Sequence, residues 1–425
     1  MISVINKPRG TEDVLPSEIK LWQYIEEAAR KTAELYGYSE IRTPVFENTE
    51  LFQRGVGDTT DVVQKEMYTF LDKGGRSITL KPEGTATLVR SYIENSLYAA
   101  PQPTKLCYII PCFRYEKPQS GRLREFHQFG IECFGAASPL CDAEVIALAD
   151  TFLKNAGITN YELNINSIGC PNCKGEYNKK LVEYFSEYKD KLCPTCLERL
   201  EKNPMRIIDC KSEICSEIAK NAPKMIDYLC DECSEHFESV KGGLDNLDIK
   251  YKINPDIVRG LDYYTKTVFE FTSNALGAQS TVCGGGRYSG LVEELGGKPA
   301  EGIGFATGLE RLILILKKEE NFEQKQSTPD LFVGAIGSGA KAFAQKLVYD
   351  LRLCGIRAEQ DLLERSVKAQ MKYADKTGAK YSVVLGDEEI EKNSAVFKNM
   401  QNGEQTQCGL TKDEILKLFN KTEDK

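Results

Sequence analysis

Hydrophobic residues recur with two different periods along this chain, and these periods predict helices and strands. Between residues 17 and 36 the apolar residues have helical spacing and Gly37 follows them, which predicts an amphipathic helix. A second helix is predicted over residues 83–98. Shorter runs of strand-forming residues predict strands at 41–46, 77–81, 263–272 and 280–283. Pro44 interrupts the first of these runs, so that strand is expected at an edge or an interface.

Residues 106–135 predict a long hairpin, because two strand-like stretches flank a centre rich in proline, glycine and cations. Strands and helices mix around it, which indicates an α+β domain. From residue 168 to 250 the strand patterns vanish while lysine, glutamate and cysteine accumulate, and a helix is predicted over 179–189. We interpret this segment as a helical insertion that divides the first domain into residues 1–167 and 251–322.

A polar, unpatterned stretch at residues 321–329 is predicted to separate this domain from a second one. Beyond it, strands and helices alternate as in βαβ units. The strands are expected at 331–336, 357–360 and 381–386, and the helices at 340–354 and 366–377. Residues 329–425 are therefore predicted to form a separate α/β domain.

Length and charge limit the class of protein. A chain of 425 residues is too long for one ordinary core, so two or three domains are expected. The first residues lack the apolar stretch of a secretory signal, and no run approaches the roughly 20 apolar residues that span a bilayer, so we expect a cytoplasmic protein with no membrane partner. The net charge of -8 argues against a surface coated in cations, but a local basic track for a nucleic acid is compatible with it.

The long hairpin carries the most informative side chains. Planar guanidinium groups such as that of Arg114 grip phosphate oxygens in pairs, and an aromatic ring such as Phe126 or Tyr115 covers a flat base. An ordinary charged surface hairpin is the alternative interpretation. Residues 113–135 resemble motif 2, the nucleotide-binding hairpin of class II aminoacyl-tRNA synthetases.

Other segments follow in the order found in the histidyl-tRNA synthetase family. The helix and strand around Pro44 resemble motif 1 of the class, and residues 302–312 resemble motif 3. Residues 79–85, 258–265 and 283–288 resemble segments of the amino-acid pocket, although the glycine run in the last is also typical of a simple bend. The resemblance implies an antiparallel catalytic sheet flanked by helices, a helical insertion, a C-terminal α/β anticodon-binding domain and a homodimer. It implies L-histidine, ATP with Mg²⁺ and tRNA(His) as substrates.

The resemblance also assigns residues to histidine. An imidazole needs an acceptor for one N–H and a partner for its other nitrogen, which a carboxylate such as Glu132 and a phenol such as Tyr264 supply. Glu83 is equally suited to cap a helix, and adjacent tyrosines are equally typical of strand packing. The complete set of predicted histidine-binding residues is Glu83, Thr85, Gln128, Glu132, Arg259, Tyr263 and Tyr264.

For the nucleotide, Arg114 and Arg259 are the predicted catalytic residues, which would bracket the α-phosphate. The predicted ATP-binding residues are Arg114, Glu116, Arg122, Phe126 and Arg311. The carboxylate of histidine has a pKa of about 3.5 and needs no general base, so a structural role is predicted for His127.

Contact with tRNA is predicted at two places. Gln119 and Arg122 lie in the loop of the long hairpin, where the resemblance implies contact with the acceptor end. Lys368, Lys372, Lys376 and Lys380 are four apart and predict a basic stripe on one face of a helix, which is either a solvated face or, by the resemblance, a site for phosphate.

The chain has 15 cysteines, which in a long chain without a signal are expected to be reduced thiols or metal ligands. Eight of them lie in the insertion, in three Cys-x-x-Cys pairs with two more cysteines between the second and third pairs. They could form two structural four-cysteine zinc sites or remain metal-free thiols. These are Cys170, Cys173, Cys193, Cys196, Cys210, Cys215, Cys230 and Cys233.

Two other functions compete with histidine–tRNA ligation. A histidine-sensing regulatory subunit of ATP phosphoribosyltransferase, which is a non-catalytic relative of this fold, should lack the anticodon-binding domain and parts of the segment around Arg259. A stand-alone RNA-binding protein would not need Arg114, Arg259 and Arg311 together. This chain keeps all of these features.

Overall fold

The computed structural model describes residues 3–57, 60–276, 281–318 and 328–420. Its contacts divide the chain into two compact units, Met1–Gln324 and Lys325–Lys425. The helices of the first unit are α1 (Ile19–Leu35), α2 (Thr49–Val56), α3 (Thr85–Glu94), α4 (Pro139–Asn155), α5 (Pro171–Ser186), α6 (Pro194–Lys202), α7 (Glu213–Ala219), α8 (Asp231–Asn246), α9 (Leu291–Glu294) and α10 (Leu309–Lys318). Its strands are β1 (Ser39–Glu40), β2 (Phe46–Asn48), β3 (Tyr68–Leu71), β4 (Ser77–Leu80), β5 (Thr104–Phe113), β6 (Glu125–Phe134), β7 (Glu162–Ser167), β8 (Lys252–Ile253), β9 (Thr265–Thr272), β10 (Thr281–Tyr288) and β11 (Gly302–Gly308).

The first unit is built on a large sheet with the strand order β1-β5-β6-β11-β10-β9-β7-β8. The neighbours from β5 to β7 are antiparallel, whereas β1 and β8 join the edges in parallel. This sheet confirms the predicted fold class, and β5 and β6 confirm the predicted long hairpin. The middle of the sheet contains strands from both sides of residues 168–250, because β5 and β6 precede this segment and β9, β10 and β11 follow it. The sequence on the far side of the segment thus completes the sheet, as predicted.

Side chains of β6 alternate between the two faces of this sheet. Phe129 and Ile131 point into a core shared with α1, α4 and α10. Gln128 and Glu132 therefore point to the opposite face, because successive strand residues alternate in direction. The polar residues predicted for the site share this second face of the sheet.

The predicted strand at residues 41–46 is wrong in its bounds. The chain pairs with β5 through β1 and through the N–H of Ile41, which donates to the carbonyl oxygen of Cys107 at 2.8 Å, and it then crosses to β2 in a three-stranded sheet. Pro44 has no N–H to donate and lies between the two sheets. The helix predicted over 83–98 is also shorter, since α3 ends at Glu94 and Ser96 has a left-handed φ of 53°.

The insertion is helical, as predicted, and consists of α5 to α8 joined by short 3₁₀ turns. The helix predicted from residue 179 begins earlier, because Pro171 occupies the first turn of α5. The strand predicted at 280–283 corresponds to β10, which continues to Tyr288 through the glycine run, so the bend interpretation of that run is wrong. Residue 280 lies outside the described residues.

The second unit contains β12 (Leu331–Ala335), α11 (Ser338–Leu353), β13 (Ala358–Gln360), α12 (Val367–Lys376), β14 (Tyr381–Leu385), α13 (Asp387–Glu391), β15 (Ser394–Asn399), β16 (Gln405–Gly409) and α14 (Lys412–Asn420). Its sheet has the order β13-β12-β14-β15-β16, with the first three strands parallel and the last two antiparallel. The predicted βαβ connections are confirmed. Residues 321–327 of the predicted linker lie outside the described residues. No helix in the described part of either unit is long and apolar enough to cross a bilayer.

Candidate functional site

A cavity on the second face of the large sheet collects every residue predicted for histidine and for ATP. Its walls include Glu83, Thr85, Arg114, Glu116, Arg122, Phe126, Gln128, Glu132, Arg259, Tyr263, Tyr264 and Arg311. They come from β6, the start of α3, the hairpin loop, the segment before β9 and the start of α10. Segments that are far apart in sequence therefore form one site.

Glu132 forms the acidic end of this cavity and is almost completely buried. One of its oxygens accepts hydrogen bonds from the hydroxyls of Thr85 at 2.7 Å and Tyr108 at 3.5 Å, and the other accepts from the hydroxyl of Tyr288. Burial raises the pKa of Glu132 to about 8, although these hydrogen bonds favour the charged form. The carboxyl is therefore mostly protonated at neutral pH until a partner enters.

Two glycines make room for this cluster. A Cβ atom at Gly304 would lie 2.0 Å from a carboxylate oxygen of Glu132, and one at Gly130 would lie 2.3 Å from the hydroxyl of Tyr108. Gly304 pairs with Glu132 across β11 and β6, so the clash is a consequence of strand register. Any side chain at these positions would displace the buried acid or its tyrosine.

The carboxylate of Glu83 accepts from the backbone N–H groups of Thr85 and Ala86, both at 2.8 Å. Glu83 therefore caps the start of α3, which confirms the alternative interpretation of this residue. Burial raises the pKa of Glu83 despite these bonds. The residue also lines the cavity, so capping leaves the predicted contact with a substrate ammonium group possible.

The opposite end of the cavity is cationic. The Nε of Arg114 donates to the carbonyl oxygen of Pro82 at 2.9 Å, and its guanidinium carbon lies 5.4 Å from the ring centroid of Phe126. Arg122 donates to the Glu116 carboxylate at 3.0 Å. Arg114 and Arg122 both line the cavity, and Arg114 is held beside an aromatic ring, an arrangement that suits a phosphate next to a flat base.

Arg311 is held by two carbonyl oxygens, those of Thr281 at 2.5 Å and Gly121 at 3.3 Å. Burial and then the charge of Arg122 lower the pKa of Arg311. A bound anion would relieve both effects, because it offsets the lost hydration and the repulsion. The structure thus places the motif 3 arginine within the cationic end.

Arg259 forms an ion pair with Glu270, and its guanidinium carbon lies 5.8 Å from the ring centroid of Tyr264. Burial alone would lower the pKa of Arg259, but the Glu270 carboxylate holds that pKa above its usual value. Glu270 was not predicted as a site residue, and neither were Tyr108 and Tyr288. Tyr288 ends the glycine-rich run, and this adjacency is the sequence signal that could have identified it.

His127 lies on the other face of β6. Its backbone N–H and its Nδ1 atom lie 2.8 and 3.0 Å from Glu310 Oε1, and its ring packs edge-on against Trp22. The side chain does not line the cavity described above. This position agrees with the structural role predicted for it.

Comparison with known proteins gives the same family as the motifs. The family model for histidyl-tRNA synthetase matches residues 10–171 and 197–312, and a model for an anticodon binding domain matches residues 330–422. The chain is 60% identical over 403 residues to the histidine–tRNA ligase of Acetivibrio thermocellus. This match covers 95% of this chain and 97% of that protein. The chain belongs to the histidyl-tRNA synthetase family. The resemblance stated from the motifs is confirmed.

Two further relatives agree. The histidine–tRNA ligase of Caldanaerobacter subterraneus is 56% identical, across 97% of this chain and 98% of that protein. The crystal structure of apo histidyl-tRNA synthetase from S. aureus has a TM-score of 0.84 and 43% identity, and the match covers 98% of this chain and 100% of that chain. The gap in the family-model match, residues 172–196, falls inside the cysteine-rich segment that was predicted to be an insertion.

The eight cysteines of the insertion form two groups of four. Within each group the sulfur atoms all lie within 4.8 Å of one another. The first group, called here the outer cluster, is Cys170, Cys173, Cys230 and Cys233, and the second, the inner cluster, is Cys193, Cys196, Cys210 and Cys215. The structure thus pairs the first Cys-x-x-Cys motif with the third.

The residues predicted for tRNA lie outside the cavity, except Arg122. Gln119 is exposed in the hairpin loop, and its backbone pairs with that of Arg122. Lys368, Lys372 and Lys376 are exposed on α12 of the second unit. The predicted stripe of four is wrong at Lys380, which lies beyond the end of α12 and forms an ion pair with Asp330 at 2.9 Å.

Proposed function

We propose that the cavity activates histidine with ATP. The chain is a histidine–tRNA ligase, which forms histidyl adenylate and pyrophosphate and then transfers histidine to the 3′ end of tRNA(His). The observation that supports this use of the cavity is the buried Glu132, whose pKa is about 8, on the strand that also carries Phe126 at the cationic end. A non-catalytic regulatory subunit is less well supported, because the chain matches an anticodon binding domain and ligases over nearly their full length.

Histidine would bind at the acidic end. Glu132 would accept the imidazole N–H, and Tyr264 would meet the other ring nitrogen. Thr85, Glu83 and Gln128 would hold the α-ammonium group. A pocket that must pair both ring nitrogens rejects an apolar analogue by about 10⁴-fold, because the wrong side chain leaves buried polar groups unpaired.

ATP would bind at the cationic end, with its base against Phe126. Arg114 and Arg259 would bracket the α-phosphate, where negative charge develops as the histidine carboxylate attacks phosphorus. Arg311 would hold the outer phosphates, which Mg²⁺ accompanies as part of the substrate. Glu116 would orient Arg122, which it already contacts.

Activation then depends on position and electrostatics. The attacking carboxylate has an ordinary pKa of about 3.5 and is already ionised, so no side chain must remove a proton. The P–O bond to pyrophosphate breaks as the carboxylate bonds to the α-phosphorus, and the arginines stabilise the charge in a partly desolvated cavity. In the second step the terminal ribose hydroxyl of tRNA would attack the adenylate carbonyl, the acyl–phosphate bond would break, and AMP would leave with the hydroxyl proton accepted by a phosphate oxygen.

Histidine-dependent exchange of pyrophosphate into ATP tests this assignment. The unaltered protein should catalyse exchange with histidine, and Arg259→Gln should reduce the rate by about 100-fold or more, because a group that stabilises the transition state is lost. Absence of exchange in the unaltered protein would rule out the proposed use of the cavity.

For tRNA, we propose contacts by Gln119 and Arg122 with the acceptor end and by Lys368, Lys372 and Lys376 with phosphates near the anticodon. The supporting observations are the exposure of Gln119 in a loop next to the cavity-lining Arg122 and the exposure of the three lysines along α12. Such contacts should weaken with salt, because each lysine displaces counterions.

We also propose that both cysteine clusters bind structural zinc. Four thiolates at the usual Zn–S distance lie about 3.8 Å apart in a tetrahedron. The Cys170 sulfur lies 3.6 Å from that of Cys173 and 4.0 Å from that of Cys230, and the Cys193–Cys210 separation is 3.8 Å. Elemental analysis of protein purified without chelators should find about two zinc ions per chain, and less than half an equivalent would rule the sites out.

A homodimer is proposed through motif 1. Exposed apolar side chains, which protein partners commonly cover, occur on the three-stranded sheet at the start of β2 (Val45 and Phe46) and on β3 (Phe70 and Leu71). Light scattering during gel filtration should give twice the chain mass, and Phe46→Glu should shift the measured mass toward that of one chain.

We further propose that residues 168–250 are an insertion between the two catalytic parts, 1–167 and 251–322, and that 329–425 is the anticodon-binding domain.

A further inference from the structure

The segment between β8 and β9 carries much of the proposed site but has no regular structure of its own. It contributes Arg259, Tyr263 and Tyr264 to the cavity, yet residues 254–264 form neither helix nor strand. Such a segment needs outside contacts to hold its backbone in one conformation, because ordering each residue costs conformational entropy.

Three side chains of the insertion supply such contacts. The Nζ of Lys174 donates to the carbonyl oxygen of Tyr264 at 2.6 Å, and Nη1 of Arg206 donates to that of Arg259 at 2.7 Å. The side-chain amide of Asn203 donates to the carboxylate of Asp262 at 3.1 Å. These contacts thus hold residues 259–264, the part of the segment that lines the cavity, at both ends and at a point between them.

Each of these three residues is placed by a cysteine cluster. Lys174 directly follows Cys173 of the outer cluster, on the first turns of α5. Asn203 and Arg206 lie between Cys196 and Cys210 of the inner cluster. The inner cluster therefore closes the segment that carries Asn203 and Arg206, whereas Lys174 lies on α5 next to the outer cluster.

We propose that the insertion acts as a brace for residues 259–264, with Lys174, Asn203 and Arg206 as positioning residues for the histidine and α-phosphate contacts. This proposal rests on the proposed function of the cavity. Lys174 fixes the backbone of Tyr264 and so the imidazole partner, whereas Arg206 fixes the backbone of Arg259 and so the phosphate partner. The two contacts should consequently affect different kinetic parameters.

The test compares Lys174→Met and Arg206→Met in histidine-dependent pyrophosphate exchange. Lys174→Met should raise the KM for histidine about tenfold, equivalent to about 1.4 kcal/mol, and leave the KM for ATP within twofold. Arg206→Met should lower kcat about tenfold. Lys174→Arg keeps a cationic donor and should restore most of the histidine KM.

Lys180→Met is the matched control, because Lys180 is an exposed lysine of the same helix and pairs with Glu183 at 3.0 Å. It should leave both KM values and kcat unchanged. Kinetic parameters of both test variants equal to those of this control would overturn the brace. A second outcome would also overturn the brace: both KM values and kcat worsen equally, the melting temperature falls, and Lys174→Arg restores none of them. That pattern indicates a purely structural role. An unaltered protein without exchange would instead refute the proposed function itself.

Discussion

Replacement of Glu132 by glutamine should stabilise the protein at alkaline pH while it damages the proposed histidine site. The folded protein holds the pKa of Glu132 at about 8, raised by burial from an ordinary value of 4.5. Between these two values the folded state binds a proton that the unfolded chain has released. The free energy of unfolding must therefore fall as the pH rises through this window. Glutamine has nearly the same shape and no proton to lose.

The size of the effect follows from the two pKa values. Each unit of pH within the window is worth about 1.4 kcal/mol, and the slope weakens as the pH approaches the folded pKa. Between pH 6 and pH 8 the unaltered protein should lose about 2 kcal/mol more stability than Glu132→Gln does. Over the same range, histidine-dependent exchange by the variant should be about 10- to 100-fold slower, because a hydrogen bond to a charged acceptor is lost.

The assay uses the single tryptophan of the chain, Trp22 in α1. Because it packs against His127 in the first unit, its fluorescence reports unfolding of the unit that contains Glu132. Urea unfolding is followed at pH 6 and pH 8 for the unaltered protein and for the variant. The contribution of the other titrating groups to the free energy of unfolding is removed when one protein is subtracted from the other at each pH.

Glu34→Gln is the control, since Glu34 is an exposed glutamate of α1. It should change stability by the same small amount at both pH values. If Glu132→Gln behaved like this control, Glu132 would be ionised in the folded protein and the reasoning from burial would be refuted. If it kept full exchange activity, the assignment of Glu132 to the imidazole would be wrong.

Three further outcomes are expected. Arg114→Lys should lower kcat for exchange about 100-fold with histidine binding unchanged by calorimetry, because a lysine cannot donate a planar pair of hydrogen bonds; an unchanged kcat would contradict this. Asp142→Asn should lower the stability measured by Trp22 fluorescence by about 3 kcal/mol, because it removes the fully buried one of the two carboxylates that pair with the buried Arg287 and leaves only that of Glu301; an unshifted midpoint would contradict this. Charge reversal of Lys368, Lys372 and Lys376 together should weaken tRNA binding in filter assays and flatten its salt dependence while exchange stays constant; equal affinity would contradict the proposed contact.

The elements of the site could be predicted from sequence where the signal is local. Strand-forming residues along β5 and β6 and the turn residues between them predict the hairpin, and the strand–helix junction at Gly308 and Leu309 is equally visible. The environment of Glu132 is not local. Its partners Thr85, Tyr108 and Tyr288 come from α3, β5 and β10, and only the packing of these three elements brings them to one carboxylate.

The cysteines show the same limit. Spacing identifies the three Cys-x-x-Cys pairs but does not decide which pairs share a cluster, because Cys170 and Cys230 are 60 residues apart in sequence. Likewise, Pro44 predicts an interruption but not that the chain continues in a second sheet. The contacts of Lys174 and Arg206 with backbone carbonyl groups, and of Asn203 with a carboxylate, correspond to no periodic pattern in the sequence.

The long hairpin explains why both substrates meet on one strand. From Phe126 to Glu132 is six residues, or about 20 Å of extended chain, so one strand reaches from the cationic to the acidic end of the cavity. Strand alternation directs Phe126, Gln128 and Glu132 to one face, so the proposed base, α-ammonium and imidazole contacts would follow in that order. Because the pKa of Glu132 is about 8, the carboxyl is mainly neutral at neutral pH in the empty site and would not oppose arginines that attract ATP. In the proposed complex the imidazole would donate a hydrogen bond that favours ionisation, so the negative charge of Glu132 would develop mainly when histidine is bound.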